Sequence, residues 1–302
     1  MRTLLLSLLL LAIPATARAT PGQFVVVVDP GHGGTQLGAR SAAGVLEKHV
    51  TLRLALLVKQ TLEAEPGIQV VLTRPGDELM LLSERVRRAN RAGGQLFLSL
   101  HCNASPDRTQ RGFEAFVLSP QSLERLARPT APASARSVEG FLAGPASPGA
   151  EVTAALADLA HRGRRSHASR FGLEVLAGLG RVLGAGLNRG LQQADFDVLR
   201  GLTMPGVLLE LGFLDHATEG ALLARDGHLR RLARVLADAV LATARTQGLL
   251  RRSAAQDLVP ARSSKAPGSR PEPRDRRGGT VPGQAPAAPR RPELASGDVS
   301  SG

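Results

Sequence analysis

Apolar residues recur along the chain with two different periods. The run FVVVV (24–28) is unbroken and β-branched, which predicts a strand buried on both faces. Pro30 and Gly31 stop it. In EKHVTLRLALLVKQTLE, residues Val50, Leu54, Leu57, Val58 and Leu62 fall at helical spacing, which predicts an amphipathic helix with Glu47 at its start. IQVVLTR (68–74) predicts a second strand, and LSERVRRANRAG a helix with Ser83 as its N-cap. QLFLSLH (95–101) predicts a third strand and GFEAFVLS (112–119) a fourth. EVTAALADLAHRGRRSHASRFGLEVLAGLGRVL reads as one or two helices. DFDVLRG leads into PGVLLELGFLDH, where Val207 to Glu210 predict an apolar strand ending in a carboxylate. TEGALLARDGHLRRLARVLADAVLATART closes the domain with helices. Strands and helices alternate through the first half, which argues for an α/β sheet covered on both faces. Such sheets place their ligand site beyond the C-terminal strand ends, where His32, His101 and Glu210 all fall.

The segments outside this pattern set the domain organisation. Residues 119–150 are rich in Pro, Ala, Ser and Gly around a short SVEGFLAG stretch, an expected insertion. Residues 251–302 are rich in Pro, Arg, Ser and Gly, which predicts a disordered basic tail. At the other end, Arg2, the apolar LLLSLLLLAI and the small-residue ARA (17–19) predict a signal peptide, residues 1–19, cut near Ala19. The globular domain is then 20–250, exported to the periplasm or cell envelope. A retained N-terminal anchor is the competing reading, although the run is short for a bilayer. The single cysteine, Cys102, excludes an internal disulfide framework. A net charge of +12 points to an acidic partner. The absence of Trp and Tyr argues against nucleic acid, which needs stacking aromatics.

His32, Glu47 and His101 have the residue types of a catalytic zinc site: two imidazoles and a carboxylate leave a fourth position for water. The glycines around His32 clear side chains from its ring. Glu210, flanked by Leu208, Leu209, Leu211 and Phe213, is the expected general base and acid, with a pKa raised by its apolar surroundings. Each residue also has a plainer reading. His32 fits a hydrogen-bonded structural histidine, Glu47 a carboxylate favoured by a helix N-terminus, and Glu210 a satisfied buried acid. Their joint occurrence at one sheet edge favours chemistry, because burying so much charge without it is costly. Asp29 is a candidate for holding the His32 loop or its ring, and Asn103 for orienting a ligand or substrate. Arg74 and Arg85 are expected at the surface, with substrate carboxylates as the alternative partners. Cys102 is expected to point away from His101. His49, His161, His167, His216 and His228 are expected to face solvent.

VVVVDPGHGG, GVLEKHVTLRLA, VVLTRPGD, LSERVRRAN, LFLSLHCNA and MPGVLLELGFLDH resemble, in order and spacing, the zinc-dependent N-acetylmuramoyl-L-alanine amidases of the amidase-3 type. The resemblance covers roughly residues 24–247. It implies an open, twisted mixed sheet of about six strands with helices on both faces. It implies one zinc ion held by His32, Glu47 and His101, with Glu210 as catalytic acid/base. The implied substrate is peptidoglycan, cut between the lactyl group of N-acetylmuramic acid and L-alanine during wall remodelling or daughter-cell separation. A LytM-type activator protein is the implied partner. Division amidases of this type carry an inhibitory helix whose carboxylate blocks the zinc. The insertion lies at the matching place, with Glu124, Glu139 and Glu151 as its acids. Glu139, within SVEGFLAG, is the candidate inhibitory carboxylate, and a plain surface loop is the competing reading. Two rival functions remain: another exported zinc peptidase or deacetylase acting on the wall, and a non-catalytic wall-binding module.

Overall fold

A computed structural model describes residues 23–122 and 150–247. The expected signal peptide, the tail and Glu139 with most of the insertion lie outside the described residues. The chain runs β1 (Phe24–Pro30), α1 (Glu47–Leu62), β2 (Ile68–Leu72), α2 (Leu82–Arg91), β3 (Leu96–Asn103), β4 (Phe113–Leu118) and α3 (Ala150–Leu183). It continues through β5 (Asn188–Ala194), β6 (Gly206–Phe213), α4 (Ala217–Leu223) and α5 (Asp226–Thr246). One six-stranded sheet has the order β2-β1-β3-β6-β4-β5. Strands β2, β1, β3 and β6 are mutually parallel, β4 is antiparallel to β6, and β5 is parallel to β4. The sheet is mixed, as the resemblance implies.

Every residue of β1 is buried, because the strand is paired on both edges and covered on both faces. Phe24, Val26 and Val28 join Leu96, Leu98, Leu100 and Cys102 of β3 in the main core, under α1, α3 and α5. Val27, Phe97 and Leu208 face the other way, toward Ala89 of α2 and the short 3-10 turn Asp197–Leu199. Successive side chains point to opposite faces of a strand, so the valine run feeds both layers. Chain order reverses beside β1: β2 lies on one side of it and β3 on the other. A crevice opens beyond the strand ends at such a switch point.

The segment EVTAALADLAHRGRRSHASRFGLEVLAGLGRVL, open to one helix or two from sequence, forms part of a single 34-residue helix. Two details depart from the sequence reading. Strand β5, NRGLQQA, goes unpredicted because it is an outer strand with no buried residue and no apolar run to announce it. Ser83 does not cap α2: the helix starts at Leu82, with Leu81 extended at the cap position and no side-chain cap. Ser83 therefore already lies inside the first turn.

Candidate metal centre

β1 ends in a loop that carries His32, β3 carries His101 near its C-terminus, and α1 opens with Glu47. One potential ligand atom from each of the three lies within 4.8 Å of the others. Glu47 sits between the imidazoles. Its Oε2 is 3.1 Å from His32 Nε2 and accepts from the Ala39 amide at 2.8 Å. Its Oε1 is 3.1 Å from His101 Nδ1 and accepts from the Cys102 amide at 2.9 Å. Burial alone would raise the Glu47 pKa, but the hydrogen bonds and charges of His101 and His32 hold it far below the usual carboxylate range. The two rings meet edge to face, centroids 5.0 Å apart. Both histidines keep part of their surface open while Glu47 is enclosed. An ionised carboxylate between two imidazoles, with an open outer side, is a donor set that fits a catalytic zinc ion. Gly31 is required by this closeness: a Cβ there would stand 2.3 Å from His101 Cε1.

Buried cations hold the His32 loop. Arg74 Nε and Arg85 Nη1 donate to the Pro30 carbonyl at 2.9 and 2.7 Å. Arg74 Nη2 and Thr51 Oγ1 donate to that of Gly31, Arg85 Nη2 to that of His32, and Lys48 Nζ to that of Gly34. Asp29 answers the charge: it accepts from Arg85 at 2.9 Å, from Ser99 at 2.7 Å and from the Thr73 hydroxyl. His32 itself has φ +59°, which few non-glycine residues adopt, and the saturated carbonyls around it hold that conformation.

Glu210 lies one strand from His101, its direct partner across the β3–β6 ladder. Its Oε2 is shielded from solvent and has no hydrogen-bond partner among the described residues. Burial first, then the charges of Glu47 and Glu114, push its pKa well above the usual carboxylate value. Glu114 is a residue the sequence reading missed. It pairs with Glu210 across the β6–β4 ladder and accepts from Asn103 Nδ2 at 2.8 Å. The available signal was an acid inside the otherwise apolar strand FEAFVL.

Residues 26–242 match the family model described as N-acetylmuramoyl-L-alanine amidase. The chain belongs to this amidase family. It is 32% identical over 217 residues to the amidase AmiC of Neisseria meningitidis serogroup B, covering 72% of this chain and 51% of that protein. It thus spans about half the length of that relative. It is 31% identical over 228 residues to the amidase AmiA of Escherichia coli K12, covering 74% and 78% of the two chains. Among solved structures, the catalytic domain of the amidase CwlV from Bacillus (Paenibacillus) polymyxa var. colistinus matches with a TM-score of 0.52 at 27% identity, over 76% of this chain and all of that one. The amidase AmiC2 of Nostoc punctiforme matches with a TM-score of 0.53 at 27% identity, over 74% of this chain and 97% of that one.

Several residues of this amidase domain sit elsewhere than their sequence suggests. Arg74 and Arg85 are not surface arginines: both are fully buried in the loop clamp. Asp29 holds the His32 loop through Arg85 and does not touch the ring. Asn103 orients Glu114 and none of the three clustered ligands. The Cys102 sulfur joins the main core, opposite to His101, and only its amide serves the site. His49 and His167 are exposed as expected. His228 is buried, and His216 caps α4 by accepting from the Glu219 amide. His161 is half-buried against Arg164 Nη2 at 2.8 Å; burial, then the Arg164 charge, lowers its pKa to about 4.

Proposed function

We propose that this chain is a zinc-dependent hydrolase of the amide between N-acetylmuramic acid and L-alanine in peptidoglycan. The observation that carries the reading is the register that sets Glu210 beside His101, next to the His32–Glu47–His101 cluster. A zinc ion held by those three residues would supply a Lewis acid that polarises the amide carbonyl and acidifies water. Glu210 takes the proton of the attacking water and delivers it to the leaving nitrogen. The new C–O bond replaces the C–N bond, and the stem peptide leaves with a free amino terminus. An acid with a raised pKa suits both halves of that transfer, since it accepts the proton and holds it until the nitrogen is ready. Membership in the amidase family favours this bond over those cut by a peptidase or deacetylase.

In this reading residues 1–19 act as a signal peptide that directs the chain to the cell envelope, and 20–250 form the catalytic domain. Among the described residues no helix is long and apolar enough to cross a membrane.

Mass spectrometry of soluble products from isolated peptidoglycan, treated with the zinc-loaded chain, tests the assignment. Stem peptides with a free L-alanine amino terminus are expected. They should vanish with a chelator or with Glu210→Ala. Peptides cut within the stem, or released acetate, would overturn it in favour of a peptidase or a deacetylase.

A further inference from the structure

The row of functional residues does not end at Glu210. Next across the edge comes Glu114 on β4, then Arg189 on β5, whose Nε lies 3.4 Å from Glu114 Oε1. A bulge creates this contact. Phe113 pairs with Asn188 and Ala115 with Leu191, so Arg189 and Gly190 together oppose the single residue Glu114. Bulges re-aim side chains next to active sites. The guanidinium is held on several sides. Its carbon lies 5.2 Å from the centre of the Phe213 ring. Its Nη1 donates to Gln110 Oε1 at 3.1 Å and to the Arg111 carbonyl at 3.4 Å. Nη2 has no partner among the described residues, and the side chain is 39% exposed. With Nε facing Glu114 and Nη1 on Gln110 and Arg111, Nη2 is the donor left to present to an acceptor such as a carboxylate.

The spacing defines what reaches it. Strands lie about 4.8 Å apart, which puts β5 roughly 10 Å from β6. An extended peptide advances about 3.4 Å per residue. With the scissile carbon at Glu210, a carboxylate on the residue after the new amino-terminal alanine spans most of that gap, and the arginine side chain covers the rest.

We propose that Arg189 is a specificity-determining residue, positioned by Glu114 and Phe213, that binds a free carboxylate on the second residue of the leaving peptide. This rests on the amidase reading above. Arg189 inherits the role that the sequence offered to the buried Arg74 and Arg85. Its exposure and its pairing with Glu114 keep the selectivity modest, about fivefold.

The test compares two synthetic muramoyl-peptides that differ only in that group, one carrying the carboxylate and the other its primary amide. Both are turned over by the zinc-loaded full chain. The carboxylate should be favoured about fivefold in kcat/KM, with the difference in KM. Arg189→Gln should bring the ratio near one, and Arg189→Lys, which keeps charge without the fork, should retain part of it. Equal turnover of both substrates by the wild type overturns this proposal alone. So does full selectivity surviving in either variant, or Arg189→Lys matching Arg189→Gln. No turnover of either substrate overturns the amidase reading and this proposal with it.

Discussion

Glu47 and Glu210 are the same residue type at the same sheet edge, and their proton affinities move in opposite directions. Burial pushes both upward. Glu47 overcomes it because each carboxylate oxygen faces a backbone amide and an imidazole. Among the described residues nothing offsets it for Glu210: one oxygen is sealed and unpartnered, and its charged neighbours are Glu47 and Glu114. A group meant to hold a cation is saturated with donors. A group meant to carry a proton is starved of them. The surroundings follow the same division, with buried cations clamping the His32 loop on one side and an arginine with one nitrogen left open beside Glu114 on the other.

The largest effect expected from breaking this contrast is on turnover. Glu210→Gln should lower kcat by about 10²–10⁴ while a chelator competition shows zinc affinity retained. Loss of zinc together with activity would mean Glu210 serves the ligand side. Arg85→Met removes a cation buried against Asp29 and leaves that carboxylate without its ion-pair partner. Urea unfolding should show a loss of about 3–5 kcal/mol. A loss under 1 kcal/mol would show that the clamp is not a structural necessity. Gly31→Ala pushes a methyl group into the His101 ring. Zinc affinity should fall roughly 10–100-fold, the size seen when the support of a ligand is disturbed.

A subtler reading comes from pH. With its folded pKa above the usual 4.5, Glu210 contributes stability that is full below that value and is lost as pH rises through the folded pKa. In the metal-free chain, Glu210→Gln should therefore flatten the decline of stability on the alkaline side of pH 4.5. An unchanged slope would place the proton elsewhere. The smallest effect is at Ser83: lacking a cap bond, Ser83→Ala should change stability by less than about 0.5 kcal/mol.

The central strands and the clustered residues were legible because their signals are local. A buried β-branched run, a glycine-framed histidine and an acid ending an apolar stretch each state their place in a few residues. What stayed hidden depends on partners distant in sequence. Arg74 and Arg85 look like surface arginines until Asp29 and the carbonyls of Pro30, Gly31 and His32 are brought around them. Glu114 acquires meaning only from an antiparallel pairing with a strand about a hundred residues later. Strand β5 has no buried residue, and its bulge follows from its register against β4.

The full burial of β1 has a consequence for motion. Its amides are paired to two neighbouring strands under two layers, so their exchange with solvent requires opening of the whole domain. The amides of β5, on an outer strand, exchange through local fraying. The two walls of the crevice therefore differ in timescale. The strand that leads to His32 is held by the stability of the whole domain, and the outer strand that carries Arg189 by local pairing alone, which leaves that side freer to adjust to peptides of different shape.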